Sequence, residues 1–231
     1  ALYWTSMISM KEISANSLKK TDTNLTVQIT KTTFYNNTSK QHGGAIATDN
    51  NINIMIIQEC NFIKNHAKNG GAIGIGKGIR TVQSDGAYIS NGKKLIIHET
   101  VFTNNQAAKD GGGVSICSSY WIYITGLKTI GVFTNDTVEV TKTTFYNNTS
   151  IGNGGALAAN AVNIIIIREC NCIRNQAKSG GVVRLSWTRR GMFKSNGAYI
   201  INKKKLVLYE TVFTKNLAAF EGGAISIYSY Y

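Results

Sequence analysis

Side chains able to do chemistry are sparse in this chain and poorly grouped. Its 231 residues include 12 Asp and Glu, three His and four Cys. Hydrolysis of a glycosidic bond needs two carboxyl groups converging across a groove, one of them with a raised pKa. Here no two acidic residues are adjacent, and two of them change at equivalent places further along, Asp85 to Asn196 and Asp110 to Glu221. His42, His66 and His98 are scattered, whereas a zinc site needs clustered partners. Cys60, Cys170 and Cys172 fall at inward positions of the pattern described below and read as buried thiols packed as small hydrophobes. Cys117 has Tyr228 as its counterpart, so it is no fixture of that pattern. These observations predict no catalysis, no metal and no cofactor.

Surface chemistry is better represented. The formal net charge is +13. Basic residues gather at Lys93 and Lys94, at Lys203, Lys204 and Lys205, and at Arg189 and Arg190. Such clusters attract polyanions, with acidic polysaccharide or an anionic cell surface as expected partners. Nucleic acid is not expected, because no binding motif interleaves these charges with aromatic residues. Tyr120, Trp121, Tyr123 and Trp187 could stack on sugar rings. Glycosylation sequons occur at Asn24, Asn36 and Asn37 and again, 111 residues later, at Asn135, Asn147 and Asn148.

That offset leads to the elements that must hold these groups. Thr30–Ser39 and Thr141–Ser150 both read TKTTFYNNTS, and Ile52–Ala72 and Ser84–Val101 also have counterparts 110 or 111 residues on. A fixed period of self-similarity marks a stacked repeat architecture. Inside each unit of about 111 residues a shorter pattern appears three times, six in all. Its anchor is an aromatic with Asn three residues later: Phe34/Asn37, Phe62/Asn65, Phe102/Asn105, Phe145/Asn148, Cys172/Asn175 (where Cys replaces the aromatic) and Phe213/Asn216. Apolar residues stand at −7 and −5 from the anchor and Thr or Cys at −2, and a Gly-Gly pair follows eight or nine residues after it. Steps of two are strand alternation with both side chains on one face, and a step of three changes phase as a corner does. Asn suits a second corner and Gly-Gly a tight turn. The whole predicts one rung of a parallel β-solenoid.

The tetrads GGAI (Gly43–Ile46, Gly70–Ile73, Gly222–Ile225), GGAL (Gly154–Leu157) and five intact FxxN resemble the repeats of chlamydial polymorphic outer membrane proteins. The resemblance spans about residues 23–227 and implies a right-handed parallel β-helix in a surface-exposed, often adhesive setting. It implies no reaction, although some parallel β-helices degrade pectin. The expected fold is all-β, with about six or more rungs and loops projecting from Gly74–Asn91, Arg184–Asn202 and Ser118–Asn135.

In such a rung Asn37 and Asn148 should turn inward, and Asn36 and Asn147 outward. Glycans are therefore expected on Asn36, Asn147, Asn24 and Asn135. Position −3 (Lys31, Glu59, Glu99, Lys142, Glu169, Glu210) should form an outward ladder that sets register. A regular Thr rank, as ice binding would need, is broken by Gln58, Asn61, His98 and Val101.

Pro is absent, which suits ladders that need every backbone N–H. No apolar run approaches the ~20 residues of a membrane-spanning helix. The chain reads as one domain over 1–231, with units at about 9–119 and 120–231, cut from a longer array or shaped to stack on copies of itself. The expected function is an extracellular or cell-surface structural protein that builds a fibre, sheath or adhesive surface by end-to-end stacking of rungs. The alternative is a discrete adhesin or carbohydrate-binding passenger domain using its insert loops.

Overall fold

The computed structural model describes residues 26–48, 52, 54–75, 79–82, 94–117, 121–124, 136–160, 162–187 and 204–229. Four parallel sheets run the length of the stack, and with one exception every rung contributes one strand to each. In the fourth rung these strands are Thr137–Thr141, Thr144–Tyr146, Thr149–Ser150 and Leu157–Asn160. The exception is the third sheet in the first rung, where Thr38 makes a single bridge to His66.

Register follows the sequence pattern in every rung. Phe34, Phe62, Phe102, Phe145, Cys172 and Phe213 lie directly above one another in the second sheet. The −7 and −5 residues line up in the same way in the first sheet. Their side chains fill the axis: Ile57, Phe62, Ile97, Phe102, Val140 and Ile165 are fully buried. Rings of Phe34, Phe62, Phe102 and Phe145 stack at centroid spacings of 4.8, 4.8 and 5.0 Å. That spacing is the ~4.8 Å separation of strands, so the rings stack because the backbone stacks. Each fully buried Ile, Val or Phe contributes about 1.5–3 kcal/mol, and this column is the main source of stability.

The corners use left-handed backbone. Residue −3 has φ between 45° and 52° in all six rungs, and residue +2 (Asn36, Lys64, Asn104, Asn147, Arg174, Lys215) has φ of 52° to 55°. The second corner therefore turns one residue before the Asn expected to make it. In the second rung, for example, the turn falls on Lys64 (φ 55°) and not on Asn65. The same correction applies to Asn37, Asn105, Asn148, Asn175 and Asn216, each preceded by the residue that turns.

The Asn serves instead as the hydrogen-bonding post behind the corner. Asn65 is fully buried, and its Nδ2 donates to Phe34 O and Asn105 Oδ1, both at 3.0 Å. Its Oδ1 accepts from Asn37 N and Nδ2. Asn148 repeats the scheme: its Nδ2 donates to Phe102 O (2.9 Å) and Asn175 Oδ1 (3.0 Å), while its Oδ1 accepts from Asn105 N and Nδ2. An unbroken ladder of this kind runs from Asn37 to Asn216. At −2, every Thr hydroxyl and both Cys thiols donate to the carbonyl two residues back, at 2.8 to 3.1 Å. Cys60 and Cys170 are thus hydrogen-bonding substitutes for Thr rather than simple hydrophobes. Burial raises their thiol pKa values and that of Cys172.

Gly-Gly does two jobs. The first glycine, as at Gly154 (φ 63°), turns through left-handed backbone. The second is needed because the next rung passes too close: a Cβ on Gly155 would lie 2.1 Å from Gly181 O.

Successive rungs pair directly, so the long anchor intervals hold inserts and not additional full rungs. All three long inserts leave from one seam, between the fourth-sheet strand of one rung and the first-sheet strand of the next. They begin slightly later than the sequence suggests, because Gly74 and Arg184 are still in the fourth sheet. Two of them are more than loops: Ile79–Val82 in the first pairs in parallel with Trp121–Ile124 in the second, a small fifth sheet.

Candidate functional surface

With the axis filled by apolar side chains and the Asn ladder, function has to lie on outward residues. Asn36 and Asn147 are exposed, whereas Asn148 is fully buried and Asn37, on the first described rung, is partly covered. The outward and inward assignments of the two sequon sets follow this geometry. Asn147 Nδ2 donates to Asn104 Oδ1 at 2.8 Å, so the outer Asn residues also bridge rungs. Asn24 and Asn135 lie outside the described residues.

Of the basic clusters read from sequence, Lys94, Lys204 and Lys205 are among the described residues. Lys93, Lys203, Arg189 and Arg190 lie outside the described residues. Lys94 and Lys205 share one column of the first sheet, but Thr137 and Ile164 separate them. Lys94 Nζ is 3.5 Å from Glu139 Oε2. Lys204 Nζ donates to Asn163 Oδ1 at 2.7 Å. Burial pulls the Lys204 pKa down, and the charge of Asp136 partly restores it. Lys94 and Lys204 each have a partner within the protein, and both stay exposed at its surface. Trp121, Tyr123 and Trp187 belong to strands, and Tyr120 lies outside the described residues.

The −3 ladder forms as expected in part, with Lys31–Glu59 and Lys142–Glu99 each at 3.8 Å. His98 joins the second pair, with Nε2 3.4 Å from Glu99 and Nδ1 2.6 Å from Thr141 Oγ1. On the fourth sheet Arg184 reaches Glu221 (3.2 Å) and Ser226 and lies over the Tyr228 ring.

Sequence reasoning missed the outer face of the third sheet. Its +4 and +6 columns, with the +2 corner beside them, carry Lys40, Lys64, Lys68, Arg174, Lys178 and Lys215 with no carboxylate, while Asp110 and Glu221 close two of its strands. These six cations are exposed. Their partners are aromatic: Lys64 lies 5.8 Å from the Tyr35 ring and Lys178 4.8 Å from Phe220, while Arg174 donates to Tyr146 Oη at 3.2 Å. The signal was present in the sequence as Lys64-x-x-x-Lys68 and Arg174-x-x-x-Lys178, 110 residues apart.

Comparison with known families adds one match. The model described as the Chlamydia polymorphic membrane protein repeat matches residues 31–49, 99–116 and 142–160. Over these three segments the chain is similar to that repeat. The matches cover the first, third and fourth rungs, and the other three hold the same lattice in the structure. No curated protein and no solved structure matches the chain.

Proposed function

We propose that the chain is a repeat module of a cell-surface β-helix that builds a fibre, sheath or adhesive surface by end-to-end stacking of rungs. In this reading it performs no reaction, and continuous parallel ladders carry load along the axis. Repeats of the polymorphic membrane protein type support an outer-membrane or surface location.

One residue carries the stacking reading. In the first five rungs the second glycine is forced, because a Cβ there would meet the next rung's carbonyl at 2.1 to 2.2 Å. At Gly223, in the sixth rung, the nearest atom to such a Cβ is Asn216 O at 3.6 Å. No neighbour among the described residues demands glycine there; a seventh rung would. Around it, the inward-directed Leu208 and Ile227 are 41% and 50% exposed, although their equivalents in the fifth rung are buried. A rung seated on this face, from a longer chain or another copy, would cover both.

Negative-stain microscopy of the isolated chain tests this reading, with Gly223→Val as the comparison. Native chains are expected to form filaments with an axial repeat commensurate with ~4.8 Å rungs. The variant keeps the fold and gives only short particles. Discrete native particles at every concentration would overturn the stacking reading.

A further inference from the structure

We infer that the outer face of the third sheet is a binding surface for a linear acidic polysaccharide lying along the stack. The inference takes from the proposed function only that the module is displayed at a surface, and it does not depend on filaments.

Four cations frame the face. Lys64 and Lys68 lie on the second rung, and Arg174 and Lys178 occupy the same places on the fifth. The first member of each pair stands at the left-handed corner and the second in the third-sheet strand that follows, and three rungs separate the pairs by about 14 Å. Between them lie Gln106 and Thr149, the mutually bonded Asn104 and Asn147, and the apolar Ala108 and exposed Ile151, so amide and hydroxyl groups that can donate and accept alternate with a small apolar step that could lie under a sugar ring. Charged corners around an uncharged field of hydrogen-bonding and small apolar groups match a chain of sugar rings and hydroxyls bearing periodic carboxylate or sulfate groups.

The opposite corner shows that this charge separation is more than an effect of the +13 total. Four carboxylates, Glu59, Glu99, Glu169 and Glu210, all stand in the −3 column. The two carboxylates within the third sheet, Asp110 and Glu221, are already engaged: Asp110 accepts from Asn153 N and Nδ2, and Glu221 pairs with Arg184. Among the described residues no salt bridge neutralises the four framing cations. Fields from such an unopposed patch attract a polyanion more strongly than mixed charge does. Nucleic acid fits less well, because Tyr35 and Tyr146, the rings beside the patch, are engaged by Lys64 and Arg174 in place of bases.

Heparin immobilised on a sensor surface is the probe, at about 0.15 M salt, where surface charges more than ~8 Å apart are screened. The test variant combines Lys64→Asn, Arg174→Asn, Lys68→Gln and Lys178→Gln. Asn already occupies the left-handed corner in three rungs, so the fold is kept. A control removes the same charge elsewhere, through Lys31→Asn, Lys142→Asn, Lys94→Gln and Lys205→Gln. The expected result is at least a tenfold loss of heparin affinity in the first variant and less than twofold in the second. Equal losses would reduce the effect to net charge and overturn the site. Single-stranded DNA bound as tightly as heparin, with the same loss in the first variant, would overturn the polysaccharide assignment. Heparin binding by particles that never form filaments would leave this inference standing while the stacking reading fell.

Discussion

The two left-handed corners of each rung share a backbone conformation and differ in what holds them. At the −3 corner a Thr or Cys side chain closes back on its own strand, and outward charges pair along the stack, as in Lys142–Glu99. At the +2 corner the support runs between rungs through the Asn ladder, and the outward residues are Asn, Lys and Arg with no acid. The first corner is satisfied within the protein. The second is rigid inside and uncompensated outside, which is the condition of a surface prepared for something else.

Breaking the ladder should produce the largest difference between the corners. Asn148→Ala orphans the Asn105 amide and the buried Phe102 carbonyl loses a donor, so a loss of about 3 kcal/mol or more is expected in urea denaturation. Its outward neighbour tells the opposite story: Asn147→Gly keeps the positive φ and should cost no more than about 1 kcal/mol. At the other corner Thr143→Val removes one local bond and should cost about 1 kcal/mol, and Thr143→Cys should recover part of that.

Alkaline pH sharpens the contrast at the −2 position. The folded state raises the thiol pKa values of Cys60 and Cys170 above the ordinary 9.0, chiefly by burial. Above about pH 9 the unfolded thiol ionises while the folded one stays protonated. Stability is therefore fully present below that pH and declines as pH climbs toward the folded pKa. Cys170→Thr should show a shallower decline between about pH 8.5 and pH 10.5, read from urea midpoints. The smallest effect is expected from Lys142→Glu, whose exposed pair is worth under about 1 kcal/mol and should disappear in high salt.

Much of this architecture was legible because a solenoid writes each contact as a periodic residue. The −7, −5, anchor and Asn columns stack as their spacing indicates, and even Cys172 keeps the place of an aromatic. The second turn was misplaced by one residue, onto Asn65 and its equivalents, because Asn tolerates left-handed φ better than Lys or Arg and composition alone favours it. The donor role of Cys60 and Cys170 was hidden because a thiol resembles a small apolar group in any hydropathy pattern. The third-sheet face escaped notice because its cations are separated in sequence and meet only when rungs stack. Dense runs such as Lys203–Lys205 drew attention instead, yet Lys204 is held by Asn163.

All the long inserts open at a single seam. Elsewhere a rung varies by a single residue, absorbed as a register shift in the third sheet, since an added residue in a regular strand would move every side chain beyond it to the wrong face of the wall. At the seam the chain can grow at little cost, because doubling a loop adds only about 0.6 kcal/mol of closure entropy. The molecule is therefore bound like a book: the spine and the printed lines keep their spacing, while material can be tipped in along the open edge without resetting a page.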